Sequence, residues 1–210
     1  DPRPSPMPRF LTLALLALLV ACTAEPPKEQ AFDPERPWRK PGDVIDSIFP
    51  MEEYLRRFRE GTTAPTGLSG GAPSPDSLAA RVLAAVSAHD SAALGALALT
   101  RSEFGWLVFP EHRYSAPPYE LDPAIFWLQI QASSQKGADR LLHRYGGQAL
   151  TLRGVSCSRD TLQLIGTGVT MQSGCVVRFT ADGTDQEGQL FGSIVERDGV
   201  AKLVGFANDL

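Results

Sequence analysis

Histidine and cysteine are scarce, three of each in 210 residues. No group of Asp, Glu, His and Cys shows metal-ligand spacing. No metal site is expected, and nothing in the chain implies a cofactor. Basic residues are outnumbered by acidic ones, 20 to 24, and form no block. Nucleic-acid binding rests on neutralising phosphates, so nucleic acid is excluded as a partner. A polybasic run for anionic lipid is missing too. The apolar stretch at 10–21 falls well short of the ~20 residues that span a bilayer. At 43% hydrophobic and 21% charged, the composition is that of an ordinary globular protein.

Proline and glycine are plentiful, at 17 and 19, and the prolines are concentrated in residues 23–75. Ahead of that stretch, Met7 is the expected start. Met7-Pro8-Arg9 makes a short positive n-region and Phe10 to Ala21 an apolar h-region, so 1–21 reads as a signal peptide. Leu19-Val20-Ala21-Cys22 then resembles the lipobox of bacterial lipoproteins, with small Ala21 before the cysteine. That resemblance implies cleavage before Cys22, a lipid on Cys22, and a protein hung from a lipid membrane. Thr23, where Asp would retain a lipoprotein at the inner membrane, implies an outer-membrane lipoprotein facing the periplasm or the outside. Cleavage removes Arg3, Arg9 and Asp1. The 20 basic and 24 acidic residues become 18 and 23, a net −5.

Residues 22–45 carry Pro26, Pro27, Pro34, Pro37 and Pro41 among scattered charges, and read as a semi-extended tether. Residues 46–61 contain an amphipathic helix. Met51, Tyr54, Leu55 and Phe58 recur at helical spacing, and Gly61 is the expected C-cap. Glu52 and Glu53 open the helix and Arg56, Arg57 and Arg59 close it, giving the i,i+4 pairs Glu52–Arg56 and Glu53–Arg57. So short a helix is marginal alone. Its apolar face either packs back on the domain or docks on a protein partner through 51–60. Residues 62–75 read as a flexible linker. Gly67-Leu68-Ser69-Gly70-Gly71 matches a nucleophile elbow in letters only, because no strand precedes it. Ser133-Ser134-Gln135-Lys136 likewise lacks its companion motifs.

Residues 76–210 read as an α+β domain, with N-terminal helices packed on a curved antiparallel sheet. Ser74-Pro75 starts a helix whose buried stripe is Leu78, Val82, Leu83 and Val86. A short helix follows over 92–99. Thr100 and Glu103 form a capping box for the segment ended by Pro110. Asp122-Pro123 opens the longest helix, with the stripe Phe126, Trp127, Ile130, Ala138, Leu141, Leu142 and Tyr145. The period then changes to two, giving strands over 149–157, 175–180, 189–196 and 200–207, with Asp198-Gly199 as a type I′ hairpin turn. Residues 158–174 fit either a strand or an excursion loop. This order, with His89-Asp90-Ser91 between the first helices and the closing 196–206 hairpin, resembles the NTF2-like superfamily of cone-shaped α+β domains. That group includes isomerases, dehydratases and non-catalytic binding modules.

The acid–base pool is Glu103, Glu111, His112, Glu120, His143 and Asp209. None is paired at a telling spacing, so no catalytic residue is assigned; Glu111 and His112 are expected on an exposed loop. With Cys22 lipidated, Cys157 and Cys175 are the two thiols left in an oxidising compartment, and a disulfide is expected. A simple meander through 161–171 would hold them beyond the ~7 Å reach of a bridge. The bridge therefore requires 158–174 to leave the sheet as a loop. Trp106, Tyr114, Tyr119 and Trp127 are the candidate ligand or partner pocket. Tyr114, Tyr119 and Pro117-Pro118 would form a flap, with the tryptophans as the wall beneath; the alternative is that Tyr119 plugs the core. The expectation is a membrane-anchored, non-catalytic binding module for a small apolar ligand or a protein partner. The alternative is an isomerase, dehydratase or hydrolase.

Overall fold

The computed structural model describes residues 48–158 and 163–210; the signal segment, Cys22 and the tether lie outside the described residues. Among the described residues the architecture is α+β, with five α-helices and two antiparallel sheets. Helix α1 spans Met51–Arg59, α2 Pro75–Ser87, α3 Ser91–Leu97, the single turn α4 Arg101–Glu103, and α5 Pro123–Tyr145. A π-helical turn (Phe104–Val108) and two 3-10 turns (Phe109–Glu111, Arg113–Ser115) continue α4. Local chemistry sets the helix starts. Ser74 accepts from the Ser77 N–H, Asp90 from Ala93, Asp122 from Ala124, and Thr100 with Glu103 completes its capping box.

The first sheet runs β1 (Leu150–Ser156), β4 (Val176–Ala181), β5 (Thr184–Gly188), in that order. The second runs β2 (Gln163–Ile165), β3 (Val169–Gln172), β6 (Ile194–Arg197), β7 (Val200–Leu203). The expected single sheet is thus corrected to two. Asp198-Gly199 makes the expected turn, with φ 51° and 74°. Asp182-Gly183 repeats it at φ 47° and 82° and creates β5, which the strand reading omitted.

Cys157 and Cys175 are joined by a disulfide. The register explains it: Ser156 faces Val176 across the β1–β4 pair, so the cysteines are the next residues out. The chain between them leaves the first sheet, as the bridge demands, yet it is no plain loop. It returns as the β2–β3 hairpin and joins the second sheet, where Met171 faces Val195. Strand and excursion are therefore both right, in different sheets.

The second sheet is buried on both faces. Ile194, Ala201 and Leu203 join a cluster with Leu78, Val82 and Val86 of α2, Leu141 and Tyr145 of α5, and Phe179 of β4. Val169, Met171 and Val195 face the opposite way, into a cluster of Phe58, Phe104, Val108 and Phe109. Helix α1 packs back on the domain in this second cluster. Phe58 is buried with its ring centroid 5.8 Å from Phe104, and its carbonyl accepts from Arg101 Nη2 at 2.7 Å. Glu53 makes the expected pair with Arg57 at 2.6 Å and also takes Arg56, expected on Glu52, at 2.7 Å. Residues 62–75 are stitched down and do not run free: Ser69 N–H reaches Glu103 and Ala72 exchanges two backbone bonds with Ala201. With Leu99 N–H on Leu203 O, this segment covers the open edge of β7.

Candidate functional site

Of the aromatic residues singled out above, Tyr114 lies in the second 3-10 turn and Tyr119 in the loop that leads to α5, while Trp106 is in the π-helical turn and Trp127 in α5. Ser115 Oγ donates to Pro110 O and His112 O, both at 2.8 Å, and Leu121 N–H closes the loop onto Tyr114 O at 2.8 Å. The Pro117-Pro118 bond is cis. Tyr114 is half-buried, edge-on to Tyr119 (5.1 Å) and to Phe126 of α5 (5.2 Å). Trp127 packs on Phe104 at 5.0 Å. Trp106 stands apart: its Nε1 donates to Thr62 Oγ1 at 3.1 Å and Arg59 lies 4.2 Å above its ring. The four residues are therefore not gathered round one cavity. They pack into the aromatic cluster at separate points, because Phe104, Phe109 and Phe126 fill the space between loop and sheet.

Tyr119 does not plug the core. It is 51% exposed, with Leu121 at 40%, Ile125 at 59% and Leu128 at 68%. Ile125 and Leu128, three residues apart, share one face of α5, and Leu121 lies just ahead of its cap. Sequence reasoning missed this face because it followed the buried stripe of the same helix. The sequence shows Ile125 and Leu128 only as apolar residues that the buried stripe leaves over, not as exposed ones. Farther along the helix Lys136, Arg140, His143 and Arg144 are exposed at several angles round it, with exposed Asp139 among them. Lys136 and Arg140 border a cleft of about 410 Å³ with Gln129, Gln189 and Asn208.

The titratable groups have structural duties. Glu103 and Lys202 are both buried and meet at 2.8 Å. Glu103 Oε2 also accepts from Thr100 N–H and hydroxyl, and Oε1 from Ser69 N–H and hydroxyl. Burial pushes this carboxyl up, but the Lys202 ammonium and the Thr100 and Ser69 N–H groups hold it below its usual value. A carboxylate so saturated keeps no free lone pair for proton transfer. A lysine amid Val200-Ala201 and Leu203-Val204 was the sequence signal for this pair.

His112, expected on an exposed loop, is buried: its ring lies 4.9 Å from Tyr114 and 5.6 Å from Phe126. Desolvation, aided by Arg113, pushes its pKa down to about 4. Nδ1 accepts from Tyr114 N–H at 3.2 Å, which holds the turn. Glu111, Glu120, His143 and Asp209 are exposed and scattered. Among the described residues no three His, Cys, Asp or Glu side chains form a metal-binding group, and no helix is long and apolar enough to cross a membrane.

Comparison with protein-family models, with curated proteins and with solved structures finds no match to this chain.

Proposed function

We propose that this chain is an envelope lipoprotein, anchored to the outer membrane by lipid on Cys22, whose domain is a non-catalytic binding module working through a surface. The observation that carries the reading is the distribution of cysteines. Two of the three are paired as Cys157–Cys175, which suits an exported protein, and the third is Cys22 of the lipobox. The binding half rests on the exposed face of Tyr119, Leu121, Ile125 and Leu128. The small-ligand version has less support, because the aromatics meant to line a pocket pack on one another. An NTF2-like ancestry belongs to the same proposal. Its support is the order of helices before strands and the packing of α2 on β1; the split into two sheets departs from a single cone.

Intact mass of membrane-extracted protein tests the anchor. The expected chain begins at residue 22 and carries a diacylglyceryl-sized addition, and Cys22→Ser abolishes both the addition and the membrane association. Recovery of an unmodified chain starting elsewhere rejects the reading.

A further inference from the structure

We infer that His112 is an acid-released latch: protonation of its ring frees the loop over 112–121 from the aromatic cluster beneath it. Nδ1 of the buried ring accepts from Tyr114 N–H at 3.2 Å, so the neutral ring carries its hydrogen on Nε2. The lone pair that would take a second proton is therefore the one that Tyr114 N–H occupies. A protonated ring donates from both nitrogens and cannot cap the turn. The rest of the loop is tied to the same two residues. Ser115 N–H and hydroxyl both reach His112 O at 2.8 Å, and Leu121 N–H reaches Tyr114 O at 2.8 Å.

His112 and Tyr114 lie on Phe126 of α5, at 5.6 and 5.2 Å, and Phe126 leads on to Phe104 and Phe109, at 5.9 and 6.0 Å. Freeing the loop uncovers Phe126 from that side. An imidazolium would find no countercharge there. Arg113 already stands 4.8 Å from the Tyr114 ring and donates to its hydroxyl at 2.9 Å, so a charged His112, 4.9 Å from that ring, is a second cation beside it. From α5 the ring meets the hydrocarbon of Phe126, while Asp122 caps the helix through Ala124 N–H. Glu111 lies against Gly166, its Oε2 3.1 Å from where a Cβ would stand, and Glu120 is exposed. Tyr119 adds a phenol edge-on to Tyr114. Burial first, and then the Arg113 charge, oppose the proton in the closed loop. The ring thus binds a proton more tightly in the open loop, and acid favours opening. With an ordinary value of 6.5 and a folded value of about 4, the drive to open grows about twentyfold from pH 7 to pH 5. The latch lies wholly within the domain and needs no anchor at Cys22.

The test is amide exchange of the full chain at pH 7 and pH 5, each rate divided by its intrinsic value at that pH. The reporters are the N–H groups of Tyr114, Ser115 and Leu121, with the amides of β4 as the reference for the whole fold. The loop amides should be less protected than those of β4 at both pH values, and their protection should fall about twentyfold toward pH 5. His112→Asn keeps an acceptor for Tyr114 N–H and takes up no proton, so it should abolish the fall. Arg113→Gln removes a charge that opposes the proton and should shrink it. Loop protection that ignores pH, or that falls as far in His112→Asn, overturns the inference. An unchanged fall in Arg113→Gln, whose side chain is exposed, overturns it whether or not the Asn variant folds. So does loop protection equal to that of β4 at both pH values, because the loop would then open only with the whole fold.

Discussion

Two buried polar residues decide much of the local stability. Lys202 stands on the same face of the second sheet as Val195 and meets Glu103 in a dry interior. Lys202→Met leaves Glu103 without its countercharge and should cost about 3–5 kcal/mol. Adding Glu103→Gln should return a large part of that loss, which a double-mutant cycle in urea would measure. Simple additivity of the two losses would mean the pair is not coupled. His112 gives a pH dependence of definite sign. Its folded pKa of about 4 lies below the ordinary 6.5. The neutral ring therefore contributes stability that is complete above pH 6.5 and is lost as pH falls toward 4. The loss should reach about 2 kcal/mol by pH 5. His112→Asn, which keeps an acceptor for Tyr114 N–H, should flatten that part of the profile. An unchanged acid slope in the variant would show that other groups carry it.

At the scale of elements, close approaches depend on glycine. A Cβ on Gly105 would stand 2.7 and 2.8 Å from Phe58 ring carbons, where α1 lies on the π-helical turn. Gly105→Ala should therefore cost about 1–3 kcal/mol, and amide exchange over 51–59 should rise before that of the sheets. Exchange that rises uniformly would mean α1 is no separate unit. Gly95 in α3 is the control. Nothing lies within 4 Å of its missing Cβ, so Gly95→Ala should stabilise by about 0.5–1 kcal/mol. Gly137 is tighter still, since a Cβ there would strike Phe206 O where the C-terminal segment crosses α5.

For the whole molecule, the disulfide joins the two sheets' histories. It closes a segment of 18 residues that begins and ends in the first sheet but supplies β2 and β3 to the second. Cys157→Ala with Cys175→Ala should lower stability by about 3 kcal/mol in the chain-entropy model. Protection of the β3–β6 pair should fall more than that of β4–β5. A double variant with an unchanged denaturation midpoint would show that the sheets hold the segment unaided.

What the sequence determined by itself was local. The caps Ser74, Asp90, Thr100 and Asp122 and the Asp198-Gly199 turn act within four residues, so the chain carries them wherever it folds. The α+β class and the pairing of Cys157 with Cys175 follow from pattern and from counting thiols. Partnership over long separations was decided by the tertiary structure. Whether Phe58 meets its own domain, whether 62–75 covers the β7 edge, and which sheet receives β2 and β3 depend on surfaces distant in the chain. The candidate site divides the same way. Tyr114 and Tyr119 were recognisable as loop aromatics and do touch. The exposure of Ile125 and Leu128 was not readable, because periodicity marks a helix face as apolar without saying which of two faces finds a partner.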